Sequence, residues 1–407
     1  MSTTPIATTM NALVLTPATR TASLRRIPIP TPGPGEVLIR IHAVSVNHVD
    51  QFYFAEPIAA QETRVLGVDF AGVVVGQHPD LADGHDRRVR AGTTVAGFVQ
   101  GANSVNDRPG AFAEYVAAMY DLLWTVPHRL SFEEACTVSM CALTAAQALF
   151  PRFGLPCPFL DGYNSSLSDV VDGEEGETIN ILIYGSSSSL GLFAAQLVHV
   201  AAKTFPNRKF RLIGTASANK HTMLSAAPYN YDILLDYRDS TWPERVRAAT
   251  GGVGIHYALD TISERNTVTK VHNTLHPKGK YHVFRGQDGG QFDTKDLAIQ
   301  PLYGTVWEGL GVEVDYGDGL VFAAPPAARE FAVKFFEFLG PGVEENRVVL
   351  EPNPVRRMPG GLERIVPDAF SLLSGLVSES ARKGDGEGQV AEHMRPVSGE
   401  KLVYSVA

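Results

Sequence analysis

The sequence predicts an α/β protein in which a doubly wound parallel sheet is joined to a β-rich domain. Three observations carry that expectation. Ile179 to Tyr184 is a short apolar run that breaks at Gly185 and passes through four serines. From Leu190 a helical period takes over, with Phe193, Ala194, Leu197, Val198 and Ala201 on the same face. Further short apolar runs then recur after helix-length spacers: Lys209–Thr215, Tyr231–Asp236, Ile255–Asp260 and, after a Pro277-Lys278-Gly279 turn, Lys280–Phe284. Roughly the first 150 residues look different. They show two-residue alternation, as in Val37–Val46, interrupted by turns such as Pro32-Gly33-Pro34-Gly35.

Taken in order, the elements divide the chain at 1–177, 178–317 and 318–407. Ser131 to Phe150 reads as a helix, with Ser131 as cap and Glu134 completing a capping box. The polar, Gly/Ser/Asp-rich stretch from Pro156 to Glu177 reads as a surface loop. Beyond residue 317 come a helix at Ala327–Leu339, a Pro-punctuated stretch at Glu351–Met358 and an amphipathic helix at Gly361–Leu376. Lys383–Glu392 reads as a mobile insertion and Lys401–Val406 as a closing strand. There is no internal repeat.

Composition narrows the function. With 407 residues and 44% hydrophobic content, the chain is long enough for two large cores. The net charge of −9 is spread along the sequence, which argues against nucleic-acid binding because that needs a basic footprint. No apolar run approaches the roughly 20 residues of a membrane span, and the N-terminus lacks a basic segment followed by a long apolar core. A cytoplasmic protein is the expectation. Cys136, Cys141 and Cys157 are too few for a disulfide framework and read as free thiols. The acceptor triplet Asn164-Ser165-Ser166 carries no meaning without secretion.

A buried strand, a tight turn and a helix head in that order form an anion site, because unpaired N–H groups and the positive end of the helix dipole converge there. Gly185 suits the turn, and Gly191 lets the helix lie close to the sheet. Serines replace the middle glycine of the G-x-G-x-x-G fingerprint. After the next strand a dinucleotide fold places its ribose-binding residue. An acid there favours NADH; here Ser217, Asn219 and Lys220 stand instead, with no acid between Thr215 and His221. Hydroxyl, amide and ammonium donors suit a 2′-phosphate, so NADPH is expected as cofactor. The competing reading is a solvated polar turn.

Several stretches together resemble the medium-chain dehydrogenase/reductase superfamily over nearly the whole chain. Pro28–Val49 looks like its first strands, and Leu66–Gly76 like the segment that holds a zinc-binding histidine in alcohol dehydrogenases. Gly92–Tyr115, above all Gly110-Ala111-Phe112-Ala113-Glu114-Tyr115, is similar to the zinc-free quinone and enoyl reductase branch. Leu155-Pro156, Asp236-Tyr237-Arg238 and Ser398-Gly399-Glu400-Lys401-Leu402-Val403 look most like fungal enoyl reductases that act in trans to polyketide synthases.

The resemblance implies a GroES-like catalytic domain made from both ends of the chain, a Rossmann NADP-binding domain between them, and a site in the cleft where they meet. It implies that Ser186, Ser187, Ser188 and Ser189 cradle the pyrophosphate, and that Ser217, Asn219, Lys220 and Tyr237 surround the adenosine end. Val397 and Ser398 would approach the nicotinamide, and Thr144 the nicotinamide and acyl chain. The implied chemistry is conjugate reduction, with hydride passing to the β-carbon of an α,β-unsaturated thioester or ketone. No metal is expected, since Asn47 and Val68 stand where alcohol dehydrogenases carry cysteine and histidine ligands.

One departure concerns the Asn-Pro-x-Asp-x-Lys motif, which here reads Asn47-His48-Val49-Asp50-Gln51-Phe52. Asn47 and Phe52 become substrate-side candidates. No residue stands out as an obligatory acid, and water is one source of the α-carbon proton; His48 is a candidate replacement donor, against the plainer reading of a hydrogen-bonded histidine at a strand end. The implied partners are a small or carrier-bound acyl substrate and a polyketide synthase, for a monomer or a homodimer. The alternatives are a reductase-like scaffold for a non-redox step such as cyclisation, and a nucleotide-binding relative with little turnover.

Overall fold

The computed structural model describes residues 8–58, 61–105, 108–160, 178–205, 207–317, 319–340, 346–380 and 391–406. The glycosylation triplet, most of the expected 156–177 loop and most of the 383–392 insertion lie outside the described residues. By contacts the chain forms two units. One comprises Met1–Met140, Trp307–Gly375 and Gly386–Ala407, the other Cys141–Val306 and Leu376–Asp385.

The first unit carries strands β1 (Thr9–Thr16), β2 (Thr21–Pro28), β3 (Glu36–Val46), β4 (Arg64–Val65), β5 (Asp69–Gln77), β6 (Thr94–Phe98), β7 (Tyr115–Met119) and β8 (Leu123–Thr125). Helix α1 (His48–Ala55) follows β3, and the short α2 (Phe132–Ala135) follows β8. The second unit carries α3 from Cys141 onward (Ser139–Gln147), α4 (Ser189–Lys203) and strands β9 (Thr178–Tyr184), β10 (Lys209–Thr215), β11 (Ile233–Leu235), β12 (Ile255–Asp260) and β13 (Leu275–Val283). The chain then returns to the first unit with β14 (Val314–Asp315), β15 (Val321–Phe322), β16 (Val355–Arg357) and β17 (Lys401–Ser405).

In the second unit the strand order is β11-β10-β9-β12-β13, and every pair is parallel. This is the expected doubly wound sheet. Ile179 to Tyr184 of β9 are all buried, as a central parallel strand requires, and Leu182, Ile213, Ala258 and Tyr281 share one core. In the first unit the main sheet runs β16-β17-β3-β5-β6-β8, with β7 also on β3. Its core includes Val37, Ile39, Ile41, Phe70, Val95, Phe112 and Tyr404. The last strand of the chain therefore pairs with an early one: Leu402 stands opposite Val46 and Val403 opposite Ser45.

Four expected elements differ. The Ser131–Phe150 helix is broken between α2 and α3. Its capping box forms as expected, but Met140 N–H donates to Asp69 Oδ1 (3.0 Å) and the Cys136 carbonyl accepts from Ser45 Oγ (2.9 Å). These are the two groups a continuous helix would pair with each other. The Gly361–Leu376 helix divides into a 3-10 turn, a π turn at Ile365–Phe370 and a short α segment, with Pro367 supplying no N–H to the ladder. Strand β13 begins at Leu275 rather than Lys280, carrying Pro277-Lys278-Gly279 as an irregularity where Ile255 pairs Leu275 but Tyr257 pairs Lys280. His48 opens α1 and does not end a strand.

Candidate functional site

The turn between β9 and α4 lies at the carboxyl end of the parallel sheet. Gly185 adopts φ +77°, and a Cβ there would stand 2.5 Å from Thr261 Oγ1. At Gly191 a Cβ would stand 2.5 Å from the Gly185 carbonyl, so only glycine lets the helix head come this close. Ser188 is the N-cap, its Oγ accepting from Gly191 N–H at 3.0 Å. A cap of this kind contributes about 1 kcal/mol. Among the described residues the amides of Ser187, Ser189 and Leu190 meet no acceptor, and all three residues are half-buried. Three open amides at the positive end of a fifteen-residue helix fit an anionic diphosphate.

The four serines do not act alike. Ser186 is fully buried; its N–H donates to the Thr215 carbonyl and its hydroxyl to the Ile183 carbonyl at 2.8 Å. It packs with Tyr231 over Gly214, where a Cβ would meet Ser186 Oγ at 2.3 Å. Its hydroxyl belongs to the interior of the turn, and Ser187, Ser188 and Ser189 form the outward part.

At the ends of β10 and β11, Ser217 occupies the N-cap position of the 3-10 turn Ala218–Lys220, and its side chain makes no capping hydrogen bond. Ser217 and Lys220 are half-buried and Asn219 is exposed. Tyr237 follows β11, with the Arg238 guanidinium 5.5 Å from its ring centre. An acid absent from the local sequence window arrives from this strand. Asp236 accepts from Ala218 N–H (3.1 Å) and Arg238 N–H (2.9 Å), so both carboxylate oxygens face the backbone. Thr144 lies half-buried on α3 in the same unit.

In the first unit, Asn47 belongs to a buried polar cluster with Asp50, Asp69 and Lys401 that sequence reasoning missed. Asn47 is the N-cap of α1, and its N–H donates to Asp50 Oδ2 at 2.7 Å. The Asn47 amide donates to Asp69 Oδ2 at 3.0 Å and accepts from Lys401 Nζ. Lys401 Nζ also lies 3.3 Å from Asp69 Oδ2, with the two side chains 4% and 0% exposed. Burial raises the Asp69 carboxyl, opposed by Lys401, Asn47 and the Met140 amide. It pushes Asp50 up to about 7 and the neighbouring Cys136 thiol well above its ordinary range. The legible signal was a lysine heading the otherwise apolar strand KLVYS. Val68, at the position that the resemblance matches to the histidine ligand, is buried. Among the described residues no three of His, Cys, Asp and Glu are grouped to hold a metal.

His48, by contrast, is exposed in the first turn of α1, and Phe52 is 49% exposed, its ring edge-on to Tyr53 at 5.2 Å. Val397 is half-buried and Ser398 exposed, in the segment leading into β17, where Ser398 N–H donates to Glu400 Oε2 at 2.7 Å. Glu400 pairs with Arg356 at 3.3 Å, which ties this segment to β16.

Comparison with known proteins agrees with both units. Residues 33–128 match the alcohol dehydrogenase GroES-like domain. The trans-enoyl reductase traG of Penicillium crustosum is 28% identical over 398 residues, spanning 97% of this chain and 96% of the relative. Among solved structures, mycobacterial Rv1454c complexed with NADPH gives a TM-score of 0.63 at 21% identity, covering 97% of this chain and 99% of the other. The CurK enoyl reductase gives 0.64 at 15% identity, covering 98% of each. At such identities the last two speak for the fold.

Proposed function

We propose that this chain is an oxidoreductase of the medium-chain dehydrogenase/reductase superfamily that reduces an activated C=C bond with NADPH, a reading supported by the GroES-like match and the near full-length similarity to trans-enoyl reductases. The substrate class is an enoyl thioester or enone on a polyketide or similar secondary metabolite, reduced in trans to a polyketide synthase. The observation that carries the reading is the Gly185–Leu190 turn. Its open amides at the carboxyl ends of β9 and β12 suit a dinucleotide, in a chain similar over nearly its full length to trans-enoyl reductases. No helix among the described residues is long and apolar enough to cross a membrane; we place the protein in the cytoplasm.

Bound NADPH would supply the hydride; the chain's residues bind, orient and exclude water. Ser187, Ser189 and Leu190 offer amides to the diphosphate. Lys220, with Ser217, Asn219 and Tyr237, offers charge and donors to the 2′-phosphate, and Asp236, turned toward the backbone, leaves that place free of a competing carboxylate acceptor. Phe52 presents an apolar ring rather than a cation at the head of the catalytic unit, which suits a hydrocarbon chain. Asn47 has its carbonyl oxygen and one amide proton engaged inward, so we assign it to holding the start of α1 in place. His48 is the candidate proton donor to the α-carbon, an exposed imidazole in the first turn of α1. Thr144, Val397 and Ser398 complete the proposed set, and no metal takes part.

The test is consumption of NADPH by the full chain with a series of enoyl thioesters of increasing length, beside NADH. Reduction with a clear preference for NADPH supports the reading. Tight NADPH binding without consumption by any thioester or enone would overturn the redox part and leave a non-redox scaffold.

A further inference from the structure

We propose that Thr261, the first residue after β12, is a positioning residue for the dinucleotide turn. It acts through a chain of hydroxyl hydrogen bonds that starts at the head of α4. The inference rests on the NADPH reading above and extends it to a residue outside the turn itself.

The directions of the hydrogen bonds follow from proton counting. Gly191 N–H donates to Ser188 Oγ at 3.0 Å. Ser188 Oγ and Thr261 Oγ1 are 2.8 Å apart, and each hydroxyl has one proton. Thr261 Oγ1 also lies 2.8 Å from the Tyr184 carbonyl and 3.0 Å from the Gly185 carbonyl, and carbonyls only accept. The Thr261 proton must therefore point at those carbonyls. Ser188 must then donate to Thr261. The chain reads Gly191 N–H to Ser188, Ser188 O–H to Thr261, Thr261 O–H to the carbonyls of Tyr184 and Gly185. Every proton in it has an acceptor.

The geometry leaves Thr261 little freedom. Its own N–H donates to the Tyr184 carbonyl at 3.1 Å. A Cβ at Gly185 would meet its Oγ1 at 2.5 Å, so the glycine and the hydroxyl occupy adjoining space. Thr261 thus sets the Ser188 rotamer. The Ser188 rotamer determines which amides of the helix head are satisfied internally: Gly191 is, while Ser187, Ser189 and Leu190 stay open. Valine at 261 would keep the shape of the side chain and remove both the acceptor and the donor. Ser188 would then have to turn its proton elsewhere, and the cap would compete with the anion for the same amides.

The test is a titration of the full chain with NADPH by direct binding, for the wild type, T261S, T261V, S188A and the double variant T261V/S188A. T261S retains the chain and should bind within about twofold of the wild type. T261V and S188A should each weaken binding by about three- to tenfold, the range for one net hydrogen bond. The double variant should be no worse than S188A alone, because both act through the same chain. A purely structural role for Thr261 would lower the melting temperature without nucleotide but leave the dissociation constant of the folded protein unchanged. Equal affinity for T261V and wild type, or additive losses in the double variant, would overturn the inference while leaving the NADPH reading standing. A wild-type chain that does not bind NADPH removes both. Should T261V fail to fold, T261A removes the same hydroxyl with more room and carries the same comparison.

Discussion

Lys401 is the only cation that hydrogen-bonds Asp69 among the described residues, and both are almost wholly buried. Replacing one member of such a pair leaves the other without compensation, at a cost of about 3–5 kcal/mol. K401M should therefore lower stability by that order in urea unfolding, and the double variant K401M/D69N by clearly less. The loss should deepen as pH rises, because Asp69 without its cation stays buried only by holding a proton. A second single-residue prediction concerns Lys220. K220A should weaken NADPH by about tenfold, as expected for loss of one charge-assisted contact, and change NADH affinity little. Equal losses for both cofactors in a fluorescence titration would mean that Lys220 does not meet the 2′-phosphate.

At the level of elements, the turn before α4 makes the clearest demand on sequence. G185A forces a non-glycine residue to φ +77° with its Cβ 2.5 Å from Thr261 Oγ1 and 2.9 Å from Ile262. It should cost roughly 1–3 kcal/mol or more of stability and most of the nucleotide affinity. Gly251 has φ +63° and nothing within 4 Å of an added Cβ, so G251A should cost less and leave binding intact. Denaturant melts of the two variants separate clash from strain. This turn was readable from sequence, because apolar run, glycine and helical period are local properties of Ile179–Ala201. The five parallel strands were readable for the same reason. The break in the Ser131–Phe150 segment was not, since Asp69 and Ser45, which take its amide and carbonyl, lie about 70 and 90 residues away in sequence. The Asn47–Asp69–Lys401 cluster was hidden likewise: its members come from three separate stretches, and each alone resembles an ordinary cap, strand start or surface lysine. The inward turn of the Ser186 hydroxyl depends on Gly214 and Tyr231 from neighbouring strands.

Across the molecule, buried ionisable groups set opposing pH dependences. Burial raises Asp50 to about 7 and Asp260 to about 6. The folded chain keeps protons there that the unfolded chain sheds near pH 4, so stability falls as pH rises through about 4–7. Burial lowers His282 to about 3 and His256 to about 4. The folded chain refuses protons that the unfolded chain accepts below about 6.5, so stability also falls as pH drops through that range. Melting temperatures against pH should show D50N flattening the neutral side and H282F the acid side. The placement of β17 has a further consequence for how the chain is made. The parallel-sheet unit is nearly contiguous, from residue 141 to 306, and its strands need nothing from the far terminus. The other unit is the reverse: β3, translated early, has no partner for residues 43–46 on the β17 side until 401–405 emerge. During synthesis that ribbon edge waits as an open template, with Asp69 still lacking its ammonium, through the assembly of an entire second body. A chain stopped short of Lys401 should thus expose a sticky seam and be a substrate for chaperones, and a peptide spanning Val355–Val406 is the piece most suited to close it from outside.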